Sequence, residues 1–203
     1  MAGVGYDEAT LRFYADEVPV YTASGPGGWS RHLDEFLARL PASASILELG
    51  CGGGRDAERM IGQGFEVDVT EGVPEIARQA EQRIGRPVRI MRFDELAAVE
   101  SYDAVWAHAS LLHVPRPALP TILASVWRAL KPGGWHFASY KGGGQEGRDR
   151  HGRYFSYLSR DQLAAAYRAA ADWEVASLLD YEGGGYEGGV GPWVAITARK
   201  PVS

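Results

Sequence analysis

From residue 45 onward, short apolar runs alternate with longer amphipathic stretches. In residues 45–49 (Ser-Ile-Leu-Glu-Leu), the apolar Ile46, Leu47 and Leu49 predict a buried strand. Residues 56–63 read as a helix closed by Gly64, and 65–70 as the next strand. Residues 74–84 place Ile76, Ala77, Ala80 and Ile84 on one helical face, with Gly85 as the stop. Strands follow at 88–92 and 102–107, separated by a stretch with room for one turn of helix. In 117–130, Leu119, Ile122, Leu123, Val126 and Leu130 recur at helical spacing. A turn at Lys131-Pro132-Gly133-Gly134 leads to a strand at 135–140. Residues 160–171 read as a helix, and 173–179 and 193–199 as strands joined by a Gly-rich loop at 181–192.

Strand-helix alternation of this kind predicts an α/β domain: a doubly wound, mostly parallel sheet with helices on both faces. The last two strands have no helix between them and should pair as an antiparallel hairpin. Before residue 43 the pattern is helical. Residues 6–17 carry Leu11 and Tyr14 on one side, 23–28 form a Gly/Pro breaker, and 30–40 repeat Leu33, Phe36, Leu37 and Leu40 before Pro41. No repeat or linker divides the chain, so one domain spanning residues 1–203 is expected.

Composition changes this picture little. With 45% hydrophobic and 23% charged residues, the chain is ordinary for a globular protein. Its net charge of −5 disfavours nucleic acid as a partner, and no apolar run is long enough to cross a membrane. Cys51 is the one cysteine, so no intrachain disulfide forms, which suits a cytoplasmic location. The histidines are scattered without ligand spacing, so no metal site is expected. The oligomeric state is not legible.

The chemistry concentrates in residues 46–56, Ile-Leu-Glu-Leu-Gly-Cys-Gly-Gly-Gly-Arg-Asp. A strand that ends in glycines and opens a helix makes a nucleotide-binding turn, because glycine permits the tight turn and lets a ligand approach the backbone. A dinucleotide fingerprint counted from Gly50 needs a third glycine at position 55, where Arg55 stands; counted from Gly52, it meets Ala57. Glu48, just before the turn, would also oppose a pyrophosphate, while an ammonium or sulfonium ligand would welcome it. Glu71 stands about 20 residues past the turn, where an acid can accept both hydroxyls of a ribose.

The spacing acid-x-Gly-x-Gly-x-Gly from Glu48 to Gly54 resembles the first motif of the class I (Rossmann-like) S-adenosylmethionine-dependent methyltransferases, and the likeness extends from about residue 43 to residue 200. Leu130 to Gly134 resembles the family's turn before its fifth strand. Gly50 to Asp56 and Gly152 to Tyr157 resemble small bacterial-type members. One departure is Glu71, where aspartate is commoner in such relatives. The resemblance implies a seven-stranded sheet ending in an antiparallel hairpin. It also implies a helical lid at 1–42, a cofactor-binding core at 43–140, and a substrate-side loop with the hairpin at 141–203.

The implied cofactor is S-adenosyl-L-methionine, held by Glu48, Gly50, Cys51, Gly52, Gly54, Arg55, Glu71 and Gly72. Asp94 and Glu95 would stand at the adenine, although Asp94 could instead cap the short helix that follows it. His108 would stand near the methyl group. The implied acceptor is a small molecule, since nothing large is appended to the core. His108 and Tyr154 are candidate catalytic residues, and Tyr14, Tyr21, His113 and Arg153 candidate acceptor contacts. Two alternatives stand beside methyl transfer: a protein of this fold that keeps the cofactor without turnover, and, more weakly, a nicotinamide oxidoreductase.

Overall fold

The computed structural model describes residues 5–17, 28–186 and 189–202. The first helix, α1 (Glu8–Asp16), is capped by Asp7, whose carboxylate accepts from the Thr10 amide. A short helix, α2 (Leu33–Leu37), realises only the middle of the stretch expected at 30–40, with turns on either side. The alternating core then runs β1 (Ser45–Leu49), α3 (Arg55–Gly62), β2 (Glu66–Glu71), α4 (Pro74–Ile84), β3 (Arg89–Ile90), β4 (Tyr102–Ala107), α5 (Leu119–Ala129) and β5 (Leu130–Lys141). Pro74 opens α4, and Gly85, at φ 64°, closes it in the left-handed conformation that glycine favours. A two-residue pair, β6 (Gly147–Arg148) with β7 (Tyr154–Phe155), precedes α6 (Arg160–Ala170). Ser159 and Gln162 cap α6 reciprocally. β8 (Glu174–Gly184) and β9 (Val190–Arg199) end the fold.

The main sheet has seven strands in the order β3-β2-β1-β4-β5-β9-β8. Strands β1 to β5 pair in parallel, and β9 runs antiparallel to both β5 and β8. The strand order reverses between β1 and β4, which opens a crevice at their carboxyl ends. Alternation along β4 sorts its side chains. Val105 and Ala107 join the core under α5 and α6, while Ala104 and Trp106 join the core with Leu33, Phe36 and Leu37 of α2.

Three segments differ from the pattern-based reading. The turn at Lys131 to Gly134 is absorbed into β5, which starts at Leu130 with a register irregularity opposite Tyr102. Most of the expected loop at 181–192 is strand. A Cβ on Gly183 would lie 2.8 Å from the Trp193 ring, so glycine is what lets β8 pass that indole. The segment read as irregular, 141–157, contains the β6–β7 pair, too short for periodicity to reveal.

Candidate active site

The glycine turn sits at the crevice. Gly50 has φ 75°, and a Cβ there would fall 2.7 Å from the Ser110 Cβ, so its absence lets the β4 loop close against β1. Gly54, at φ 76°, caps α3, and a Cβ on it would approach the Ala80 Cβ to 3.2 Å. The amides of Gly50 and Cys51 both donate to the Thr70 carbonyl, at 3.0 and 2.9 Å, tying the turn to β2. The Cys51 thiol is buried, which pushes its pKa up, so it is an inert packing group. Arg55 is the first residue of α3.

Glu71 ends β2 with its carboxylate buried under the turn. One oxygen accepts from the Gly52 amide at 3.0 Å; the other accepts from Gly72 at 2.8 Å and Val73 at 3.1 Å. Burial raises its pKa against these three amides. Roughly one of its four lone-pair sites stays open, so a ribose diol that bonds it twice would take over the place of an amide. Glu48 is also buried. One of its carboxyl oxygens has no hydrogen-bond partner, and burial, then Asp56 and Glu71, push its pKa well up. Asp56 and Glu71 are thus the acids that bear on Glu48.

Glu71 lines an open cleft whose empty space, solvent at its mouth included, is about 670 Å³. Gly50, Glu71 and Gly72 form its floor; Leu11, Val73, Ile76, Met91 and Phe93 its apolar walls; Tyr6, Tyr14, Ser110 and His113 add polar groups. Ser110 Oγ is buried with no hydrogen-bond partner. No local pattern marks Ser110, because its placement depends on how close Gly50 lets it come. Asp94 and Glu95 lie in a 3-10 turn (Phe93–Glu95). Glu95 accepts from the Arg92 amide at 2.7 Å as a cap, and Asp94 faces the Arg92 guanidinium at 3.3 Å with Gly5 packed on it.

The two candidate histidines part ways. His108 does not line the cleft. Its ring is near-parallel to Trp106 and Phe137 on the α2 side of the sheet, and its Nδ1 is 4.0 Å from Asp56. Asp56 itself accepts from the Ser30 amide at 2.7 Å and the Trp106 indole at 2.9 Å. His113 does line the cleft, in the 3-10 turn Leu111–His113. Its Nδ1 lies 2.7 Å from the Tyr154 carbonyl, which can only accept, so Nδ1 carries the proton. Its Nε2 then accepts from the Tyr14 hydroxyl at 2.9 Å. Burial holds the His113 pKa down at about 4 and pushes Tyr14 up to about 12.

Arg153 reaches the cleft only through Tyr14, donating to its oxygen at 3.2 Å. Its guanidinium is buried, paired with Asp149 at 2.6 Å and ringed by Phe13, Tyr14, Phe155 and Tyr186 at 4.8–5.6 Å. The Tyr154 hydroxyl points away from the cleft, donating to Glu146 and accepting from the Arg116 amide at 3.3 Å. Tyr21 lies outside the described residues. Among the described residues, no group of three metal-ligating side chains is close enough to hold an ion, and no helix is long and apolar enough to cross a membrane.

Residues 46–134 match the methyltransferase domain family. A ubiquinone biosynthesis O-methyltransferase of Xylella fastidiosa (strain 9a5c) is 31% identical over 155 residues, covering 66% of this chain and 62% of the relative. The chain thus spans less than two thirds of that relative's length. The 1,6-didemethyltoxoflavin-N1-methyltransferase of Burkholderia thailandensis, solved with bound 1,6-didemethyltoxoflavin and S-adenosylhomocysteine, superposes with a TM-score of 0.76 at 22% identity, covering 95% of this chain and 88% of that one. The [4+2]-cyclase SpnF superposes at 0.73 with 18% identity over the whole of both chains, so the fold alone does not fix a reaction. Strand order and glycine turn are those of the class I methyltransferase fold, and residues 46–134 are similar to a methyltransferase domain.

Proposed function

We propose that this protein transfers a methyl group from S-adenosylmethionine to a small-molecule acceptor, in the cytoplasm. The observation that carries the reading is the buried Glu71 carboxyl group at the end of β2, which lines the cleft beside Gly50 and Gly72 and is held by the amides of Gly52, Gly72 and Val73. A pyrophosphate would be repelled there, while a ligand bearing an ammonium and a sulfonium is attracted. The chain's polar and apolar groups fit that ligand elsewhere too. Glu71 would take the ribose hydroxyls, Phe93, Met91, Leu11 and Val73 would wall the adenine, and the unpartnered Ser110 hydroxyl would gain a partner.

S-adenosylmethionine would supply an already activated methyl group, open to in-line displacement. The protein's work is then to bind, align and keep out water, and alignment alone can lower a barrier by roughly 7–11 kcal/mol. Helix α1 contributes by placing Leu11 and Tyr14 in the cleft wall. The O-methyltransferase relative favours an oxygen acceptor over other classes.

Calorimetric titration with S-adenosylmethionine, with NAD as control, tests the reading. Saturable binding, weakened at least about tenfold by Glu71→Ala through loss of charge-assisted hydrogen bonds, is expected. Binding of NAD alone, or of neither, would overturn it.

A further inference from the structure

Strand β4 ends at Ala107, opposite Ala138 of β5. Two residues further on, Ala109 has φ 52°, a left-handed backbone that an L-residue adopts only at a cost. Its amide donates at 2.9 Å to the hydroxyl of Ser139, the fully buried residue that follows Ala138. A side-chain oxygen thus anchors the β4 loop just past the end of the parallel pairing. Ser110 comes next. It stands at the cap position of the 3-10 turn Leu111–His113, where serine is favoured, yet its hydroxyl makes no capping bond.

The Ser110 side chain instead lines the cleft, and its buried hydroxyl has no hydrogen-bond partner among the described residues. Such a hydroxyl carries a desolvation cost that a ligand able to bond it would remove. Gly50 and Phe93 stand beside it. An ideal Cβ on Gly50 would lie 3.5 Å from Ser110 Oγ and 3.6 Å from Phe93 Cε1. Ser110 therefore borders the floor of the cleft and the apolar wall suited to adenine.

We propose that Ser110 hydrogen-bonds the nucleoside half of the cofactor, and that Ser139 is its positioning residue, acting through the left-handed Ala109. The inference rests on the methyltransferase reading above. A hydroxyl both donates and accepts, so it can meet a ring nitrogen, an ether oxygen or a hydroxyl of a nucleoside. The bond from Ala109 to Ser139 offsets the cost of the left-handed backbone. Without the Ser139 oxygen that offset is gone, the kink relaxes, and Ser110, one residue on, leaves the cleft wall. Glycine at position 109 would hold the same backbone at no steric cost, with or without Ser139. Ser139 thus touches no ligand itself, and its effect passes through the Ser110 hydroxyl.

Calorimetric titration with S-adenosylhomocysteine, and separately with adenosine, tests this on the whole chain. Ser110→Ala should weaken both ligands about tenfold, and by the same factor, because adenosine keeps the half that Ser110 meets. Ser139→Ala should weaken both to a similar extent. Adding Ser110→Ala to it should then cost less than about threefold more, since the hydroxyl has already left its place. Ala109→Gly should restore most of the affinity lost in Ser139→Ala, a recovery that a merely structural Ser139 would not show. Unchanged affinity in Ser110→Ala, or a loss seen with S-adenosylhomocysteine and not with adenosine, would overturn the nucleoside contact. Additive losses, no recovery in Ala109→Gly, or a Ser139→Ala protein that melts below the assay temperature would overturn the positioning role. Failure of the wild-type protein to bind S-adenosylhomocysteine at all would instead remove the methyltransferase reading on which both stand.

Discussion

Gly50→Ala puts a methyl group 2.7 Å from the Ser110 Cβ, on a residue whose φ is 75°. Two costs add. A left-handed backbone costs an L-residue about 1–2 kcal/mol. Forcing a methyl into a closed contact costs about 1–3 kcal/mol, because the β4 loop must retreat. The total, about 2–5 kcal/mol, is a large share of the roughly 5–15 kcal/mol that holds a domain together. For a chain of this size it lowers the melting temperature by about 4–20 °C. The two costs separate in a double-mutant cycle with Ser110→Gly, which removes the obstructing Cβ but leaves the backbone strained. Chemical denaturation of the four proteins should show Ser110→Gly recovering about 1–3 kcal/mol in the Gly50→Ala background and none in the wild type. If Gly50→Ala unfolds within about 0.5 kcal/mol of the wild type, or Ser110→Gly rescues nothing, the close approach of β1 and the β4 loop is not what makes glycine necessary.

Other outcomes follow from buried charge and burial. Arg153→Gln strands Asp149 and empties the aromatic ring around the guanidinium, and should destabilise by about 3–5 kcal/mol in thermal or urea melts. His136 is buried between the Val105 carbonyl (3.0 Å) and the Tyr167 hydroxyl (2.8 Å), and burial lowers its pKa to about 4. Below the ordinary value of 6.5 the unfolded chain takes a proton that the fold refuses. The wild type should therefore lose more stability between pH 6.5 and 4 than His136→Gln does, by an amount on the order of 3 kcal/mol, read as the difference in unfolding free energy across that window. Cys51 should react with an aromatic disulfide reagent only on unfolding, since its thiol is buried and its pKa raised; rapid labelling of the native protein would contradict its placement.

How much of this was legible depended on whether a feature was local. The ends of α4 were readable from Pro74 and Gly85, because caps are written in adjacent residues. β1, stopped by the glycine turn, and β4, set between Ser101 and His108, came out as expected, at Ser45–Leu49 and Tyr102–Ala107. Glu71 could be found by counting from the glycines, since strand and helix lengths fix that separation. The parts that escaped are the ones made by contact between distant segments. Nothing adjacent to His108 says that its ring turns toward Trp106 and Phe137 while His113, five residues on, faces the cleft. The enclosure of Arg153 joins α1, the β6–β7 turn and Tyr186, which no window of sequence contains. The glycines at 183 and 191 read as a loop because their strand pairing, with each other, rests on the neighbouring Trp193 rather than on their own propensity.

The pairing of α1 with the β6–β7 segment has a consequence for how the protein is made. Asp7 meets Arg148, a separation of 141 residues, and Thr10 and Tyr14 meet Tyr154 and Arg153. A ribosome adding about 5–20 residues per second delivers the partner segment roughly 7–30 s after the helix. A helix of nine residues does not hold its shape alone over that interval. This helix, synthesised before its partner, is therefore among the last elements to take its place. Until then, a nascent chain can pair β1, β2 and β4 while the wall that carries Tyr14 is still missing, so that wall waits on the β6–β7 segment rather than on the sheet's first strands.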